Sequence, residues 1–137
     1  MRIYRGLSKP YRAEAVGTGQ GPVFGTDFTD CPLTALSFAR GSRGVVIVLD
    51  IHASGAPRVS EELWSLSGSG PRRLMVWGRF DAHIAAIIPA KELRARIRVR
   101  GIAGSSNEWK AIILREFIDA WIDGTANAFN GSPGPPR

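Results

Sequence analysis

Seven consecutive residues, VVIVLDI (Val45–Ile51), form an almost unbroken β-branched and apolar run. A strand with one wet face alternates apolar and polar residues. A strand that does not alternate must be covered on both faces. The run therefore predicts a central strand buried from above and below. The rest of the chain has to supply that cover.

Its length permits this. The 137 residues suit one domain, and 44% hydrophobic with 22% charged residues is enough to bury a real core. Cys31 is the single cysteine, so no internal disulfide can form and a reducing compartment is expected. No apolar run approaches the ~20 residues of a membrane span. The first residues lack the charged-then-apolar pattern of a secretory signal. The expectation is a cytoplasmic protein with no membrane partner.

The net charge is +6, and arginine supplies most of it, because only Lys9, Lys91 and Lys110 are lysines. Two explanations stand side by side. One is a polyanionic or phosphate-bearing partner. The other is a GC-rich genome that writes arginine where others write lysine.

Around the central run, Met1 to Arg5 alternates enough for a short strand. The glycine-rich stretch LSKPYRAEAVGTGQGP has no periodicity and reads as a loop. Val23 and Phe24 begin a second short strand. In TDFTDCPLTALSFAR the pattern turns helical, with Thr29 or Asp30 as cap, Pro32 in the first turn, and Leu33, Leu36 and Phe38 as the apolar side. Gly41 ends that helix. SEELWSL reads as one or two helical turns capped by Ser60, and SGSGP as a flexible connector.

RLMVWGRF and DAHIAAIIP read as two strands that meet near Phe80, and PAKEL as a single turn. LRARIRVRG alternates strictly, with Arg94, Arg96, Arg98 and Arg100 opposite Ala95, Ile97 and Val99. That pattern predicts a half-buried strand. The last element is a long helix over residues 107–123. Ser105 or Ser106 caps it, Glu108 lies in its first turn, and its core stripe runs through Trp109, Ile112, Ile113, Phe117, Ala120 and Trp121. Gly124 stops it, and residues 125–137 are expected to be a flexible tail.

Familiar catalytic signatures are missing. There is no Walker loop, no GxGxxG, no HExxH and no CxxC pair. His52 and His83 are the only histidines, and neither has a second ligand at metal spacing, so no metal is expected. Cys31 near a helix start reads as structural before nucleophilic.

Three spaced features remain: Tyr4-Arg5-Gly6 at the start, VFGTDFTDCPLTALSFARGSRGVVIVLDI (residues 23–51) next, and FDAHIAAIIPAKEL (residues 80–93) late in the chain. In that order they resemble the ADP-ribosyltransferase fold family, the NAD-consuming transferases. That family pairs a first-strand arginine with a Ser/Thr motif on a later strand and a glutamate opening a late strand. On the matching positions, Arg5 is the first-strand arginine, Thr26 the hydroxyl of the second motif, continued by Phe28, Thr29 and Asp30, and Asp81 the acid. Two departures stand out. Asp81 replaces the usual glutamate and reaches about one methylene less far, and Arg79 stands where protein-modifying members carry Gln or Glu.

The resemblance implies an α+β fold, with a split mixed or antiparallel sheet of the ADP-ribosyltransferase type and a few helices, the C-terminal one long. Residues 1–124 form that domain. It implies NAD as substrate, with Asp81, Arg5 and Thr26 as catalytic residues, and Tyr4, Arg5, Gly6, Thr26, Phe28 and Phe38 as the NAD-binding set. The partner would be a macromolecular acceptor, protein or nucleic acid, together with a cognate inhibitor or antitoxin. The setting would be a toxin, an effector delivered into a target cell, or phage conflict.

The chemistry suits those residue types. Breaking the nicotinamide–ribose bond builds cation character on the sugar, which a carboxylate on a ribose hydroxyl stabilises. A guanidinium binds pyrophosphate or ribose in a planar, bidentate way. Gly6 would let backbone approach the ligand closely. Thr26 would brace the acid or the ribose, and Tyr11, Phe28 or Phe38 would stack on nicotinamide.

Each residue also has a plainer use. Arg5 suits an edge strand with its stem packed down, Thr26 a turn with Asp27, and Asp81 a strand-entry position paired with Arg79 or Arg72. Glu61 and Glu62 are rival acids, but they resemble first-turn helix residues. The arginine ladder suits a solvated sheet face, or a surface that tracks phosphates. A competing function is a non-catalytic nucleotide- or nucleic-acid-binding module on the same scaffold, which the Asp81 departure favours.

Overall fold

The computed structural model describes residues 1–11, 25–51, 58–62, 73–77 and 80–124. These form an α+β arrangement. The strands are β1 (Arg2–Leu7), β2 (Gly25–Thr29), β3 (Val45–Asp50), β4 (Arg58–Glu62), β5 (Arg73–Trp77) and β6 (Ile84–Pro89). The helices are α1 (Pro32–Phe38), α2 (Ala90–Ile97) and α3 (Asn107–Ile122), and a 3-10 turn covers Asp81–His83. The strands make one six-stranded sheet in the order β4-β5-β2-β1-β3-β6. Every pairing is antiparallel.

The run that demanded cover on both faces has it. Val46, Ile47, Val48 and Leu49 of β3 are fully buried, between β1 and β6. Strand alternation then divides the core in two. On one face Tyr4, Val46, Val48 and Ile88 meet the three helices through Ala35, Leu36, Leu93, Leu114, Phe117 and Ile118. On the other face Ile3, Phe28, Ile47, Leu49, Leu74, Val76 and Phe80 pack together, with Leu7 and Tyr11 against them.

The helix layer sits unusually close to β1. A Cβ built on Gly6 would lie 1.9 Å from the Ala35 carbonyl oxygen and 3.0 Å from the Ala39 nitrogen. Only a residue without a side chain lets α1 lie there. At Gly6 it is the α1 backbone that makes the close approach.

α3 follows from its sequence. Ser106 caps it, its hydroxyl accepting from the Trp109 N–H at 3.2 Å, and Gly124 at φ +79° ends it. Its buried stripe is Ala111, Leu114, Phe117, Ile118 and Ala120. Each of the larger side chains there contributes about 1.5–3 kcal/mol on leaving water. Trp109 and Ile112, expected in that stripe, are instead 47% and 41% exposed.

Other expectations also change. α1 starts later than the sequence suggested: Thr26 to Thr29 are strand, and the cap position is Cys31. Thr29 is held differently, its Oγ1 accepting from the Cys31 N–H at 3.2 Å. Ser60, Glu61 and Glu62 do not open a helix. They lie in β4, in register with β5 from Arg58 opposite Trp77 to Glu62 opposite Arg73.

The arginine ladder is not a strand either. Residues 90–97 are helix α2, where Ala90, Leu93 and Ile97 fall on the inner side at helical spacing. Arg96 is buried with its guanidinium 5.3 Å from the centre of the Phe117 ring, and burial lowers its pKa from the ordinary value. Arg94 donates through Nη1 to the Ala39 carbonyl at 2.8 Å and through Nη2 to the Gly41 carbonyl at 2.9 Å. It thus satisfies carbonyls at the C-terminal end of α1.

The loop assigned to residues 7–22, its first residues apart, lies outside the described residues. So do the strand start at Val23 and Phe24, His52, the SGSGP connector, Arg72, Arg79 and the tail 125–137. No helix among the described residues is long and apolar enough to cross a membrane.

Candidate functional site

β1 and β3 stay in register over six residue pairs, from Arg2–Asp50 to Leu7–Val45, and β2 and β5 over five. Between these two units the ladder is thin. β1 and β2 share one register pair, Tyr4 opposite Thr29. Beyond it, Arg5–Leu7 and Thr26–Phe28 run on without pairing to each other, and the strands part.

A cleft of about 550 Å³ occupies this parting, within the range of small-molecule sites. β1 contributes Tyr4, Arg5, Gly6 and Leu7, and Ser8 follows it. β2 contributes Asp27, Phe28 and Thr29. Thr34 and Phe38 of α1 and Arg73 of β5 complete the wall.

Arg5 bridges the gap. Its Nη1 donates to the Asp27 carbonyl at 2.8 Å, so a side chain spans what the backbone ladder leaves open. Its Nε is buried and has no hydrogen-bond partner among the described residues. Burial lowers the Arg5 pKa, and the Asp27 carboxylate opposes that shift. The guanidinium stays charged in any case. A half-buried guanidinium on a cleft wall is a binding group for an anion or for a cluster of hydroxyls.

A second guanidinium flanks the cleft. Arg73 grips the Asp27 carboxylate with two bonds, Nε to Oδ1 at 2.9 Å and Nη2 to Oδ2 at 3.0 Å. Asp27 thus holds Arg5 through its carbonyl and Arg73 through its carboxylate. Arg73 and Asp27 carried no signal in the sequence, because their meeting depends on the register of β2 against β5.

The aromatic candidates separate by exposure. Phe38 ends α1 with 57% of its surface open, on the cleft wall. Phe28 is 3% exposed and meets Phe80 edge-on at 5.3 Å between ring centres, so it is wall and not a stacking face. Tyr4 is buried beneath the helices. Burial raises its phenol pKa, and Arg115, hydrogen-bonded to it, works against that rise.

Thr26 and Asp81 do not line this cleft. Thr26 is buried at 7% exposure, opposite Val76 in β5, on the Phe28 side of β2. Asp81 opens the 3-10 turn before β6, and its Oδ1 accepts from the Tyr11 hydroxyl. Tyr11 packs against the same apolar face as Phe28, its ring 6.4 Å from that of Phe80. Alternation from Ile3 puts Arg5 on this face too. The three candidates thus belong to one side of the sheet, but only Arg5 also borders the cleft. Among the described residues no cluster of His, Cys, Asp and Glu is fit to hold a metal ion.

No family model, no curated protein and no solved structure matches the chain.

Proposed function

We propose that the chain binds NAD at the parting of β1 and β2 and transfers ADP-ribose to a macromolecular acceptor, on a scaffold of the ADP-ribosyltransferase type. The observation that carries this reading is Arg5: a half-buried guanidinium on the wall of a cleft of about 550 Å³. In this reading Arg5 takes the pyrophosphate or an adjoining ribose in bidentate fashion. The open ring of Phe38 stacks on an aromatic end of the ligand.

The bond between nicotinamide nitrogen and C1′ breaks with its electron pair going to nicotinamide, which leaves neutral. A lone pair of the acceptor forms the new bond to C1′, and the acceptor's proton passes to solvent or to a nearby base. Asp81 lies off the cleft wall, its carboxylate held by Tyr11, so in this reading it accepts from a ribose hydroxyl of the part of NAD that extends beyond the cleft and offsets charge on the sugar there. Thr26 supports β2 from inside.

A second reading is a non-catalytic module that binds a nucleotide. It is favoured by one observation: Asp81 is engaged by Tyr11 and is off the cleft wall.

Incubation with NAD, followed by chromatography for free nicotinamide, separates the two. Release that disappears in Asp81→Ala and falls at least tenfold in Arg5→Ala supports transfer. NAD binding without release supports the module. Absence of both binding and release rejects the cleft as a NAD site.

A further inference from the structure

The positive charge of the chain is concentrated in one place. Residues 39–44 and 90–101 carry seven of the 18 cations and one of the 12 acids, so eleven of each remain elsewhere and cancel. The whole net charge of +6 therefore resides in these two segments. They are some fifty residues apart in sequence, and the fold joins them. Arg94 of α2 binds the Ala39 and Gly41 carbonyls, and the Ala90 N–H donates to the Gly44 carbonyl at 2.9 Å.

Lys91 and Arg94 of α2 and Arg98 at its C-cap recur at spacings of three and four and so share one side of the helix. Arg40, Arg43, Lys91, Arg98 and Arg100 are all exposed. Among the described residues none of the five has a carboxylate within ion-pair distance. Like charges gathered without counter-charges repel, and the arrangement gains from a polyanion laid across it.

Phe38 stands next to this patch, one residue before the carbonyl that receives Arg94 Nη1, and it is 57% exposed. An open aromatic face beside a row of cations matches the pairing of stacking platform and phosphate track used on single strands.

We propose that this surface, where the turn 39–44 meets α2, binds single-stranded nucleic acid. Its phosphates lie along Arg40, Arg43, Lys91 and Arg98, and one base stacks on Phe38. Phe38 is shared with the cleft wall, so a stacked base and an aromatic end of NAD would exclude each other there, while Arg40, Arg43, Lys91 and Arg98 lie outside the cleft lining. Its source in the cell, DNA or RNA, is distinguished by probes of both kinds.

The test is fluorescence anisotropy of the full chain with labelled dT20, rU20 and a 20-base-pair duplex. We expect a single strand to bind more tightly than the duplex, with log K falling against log salt at a slope of about −3, as four phosphate contacts require. The double variant Lys91→Glu, Arg98→Glu should weaken binding at least tenfold and flatten the slope. Arg43→Glu, on the other segment, should weaken it as well. Phe38→Ala should weaken it about fivefold or more and leave the slope alone. Arg94 is left intact because it holds α1, and unchanged circular dichroism melts confirm that the variants fold.

Absence of salt-sensitive binding overturns the proposal. So does binding that ignores the α2 and Arg43 charge reversals. Equal affinity for polyglutamate, or a duplex preference with Phe38→Ala silent, overturns the single-strand assignment. A failed NAD reading shows separately, as wild-type protein that neither binds NAD nor releases nicotinamide.

Discussion

Gly6 and Arg5 are neighbours on β1 and point to opposite faces of the sheet. Toward the helices, Gly6 has no side chain, and the α1 backbone fills the space one would need. Away from them, between Ile3 and Leu7, alternation calls for another apolar residue, and the chain places a guanidinium there. The first face is decided by shape, with backbone against backbone and no slack. The second gives up burial for charge, at the point where β1 and β2 part. Sites are found where the requirements of folding are set aside in this way, and rigid packing behind them holds the geometry.

The strongest way to break this contrast is to put a side chain on the crowded face. Gly6→Val forces α1 off β1. Urea melts should show a loss above about 3 kcal/mol, or no cooperative fold. An ordinary melt would mean that α1 does not depend on that approach. Next in size is Leu114→Ala in the core between α3 and the sheet, expected to cost about 2–5 kcal/mol in the same measurement.

On the other face the expectation reverses. Arg5→Met removes a partly buried charge but strands the Asp27 carbonyl, so the opposing changes should leave stability within about 1 kcal/mol. Nicotinamide release should nevertheless be lost. A variant that unfolds would make Arg5 a structural residue.

The smallest effect concerns Tyr4. Burial raises its phenol pKa, so the folded state keeps a proton that the unfolded chain gives up near pH 10. That contribution is present below about pH 10 and is lost as pH rises past it. Tm measured from pH 9 to 11 should fall less steeply in Tyr4→Phe than in the wild type.

Much of this was readable in the sequence because it rests on local pattern. The VVIVLD run could only be central, and α3 carried its cap and its stop. What failed had a local pattern of its own that tertiary context overrode. Ser60-Glu61-Glu62 imitates a helix start, but pairing with β5 makes it a strand. Arginines at every second position from 94 to 100 imitate a half-wet strand, while Ala90, Leu93 and Ile97 beneath them keep helical spacing. In α3 the large Trp109 drew the stripe away from the small Ala111.

The site was partly legible. Tyr4, Arg5, Gly6, Phe28 and Phe38 do border one cleft. Asp27 and Arg73 were invisible, because they meet through the β2–β5 register. Thr26 fell to the inside of its strand.

The most direct test is equilibrium dialysis of NAD against wild-type protein and Arg5→Met, with folding of both checked in the same samples. Saturable binding to the wild type that is lost in the folded variant is the predicted result. Binding that survives Arg5→Met undiminished, or no binding to the wild type, would contradict a ligand site built on Arg5.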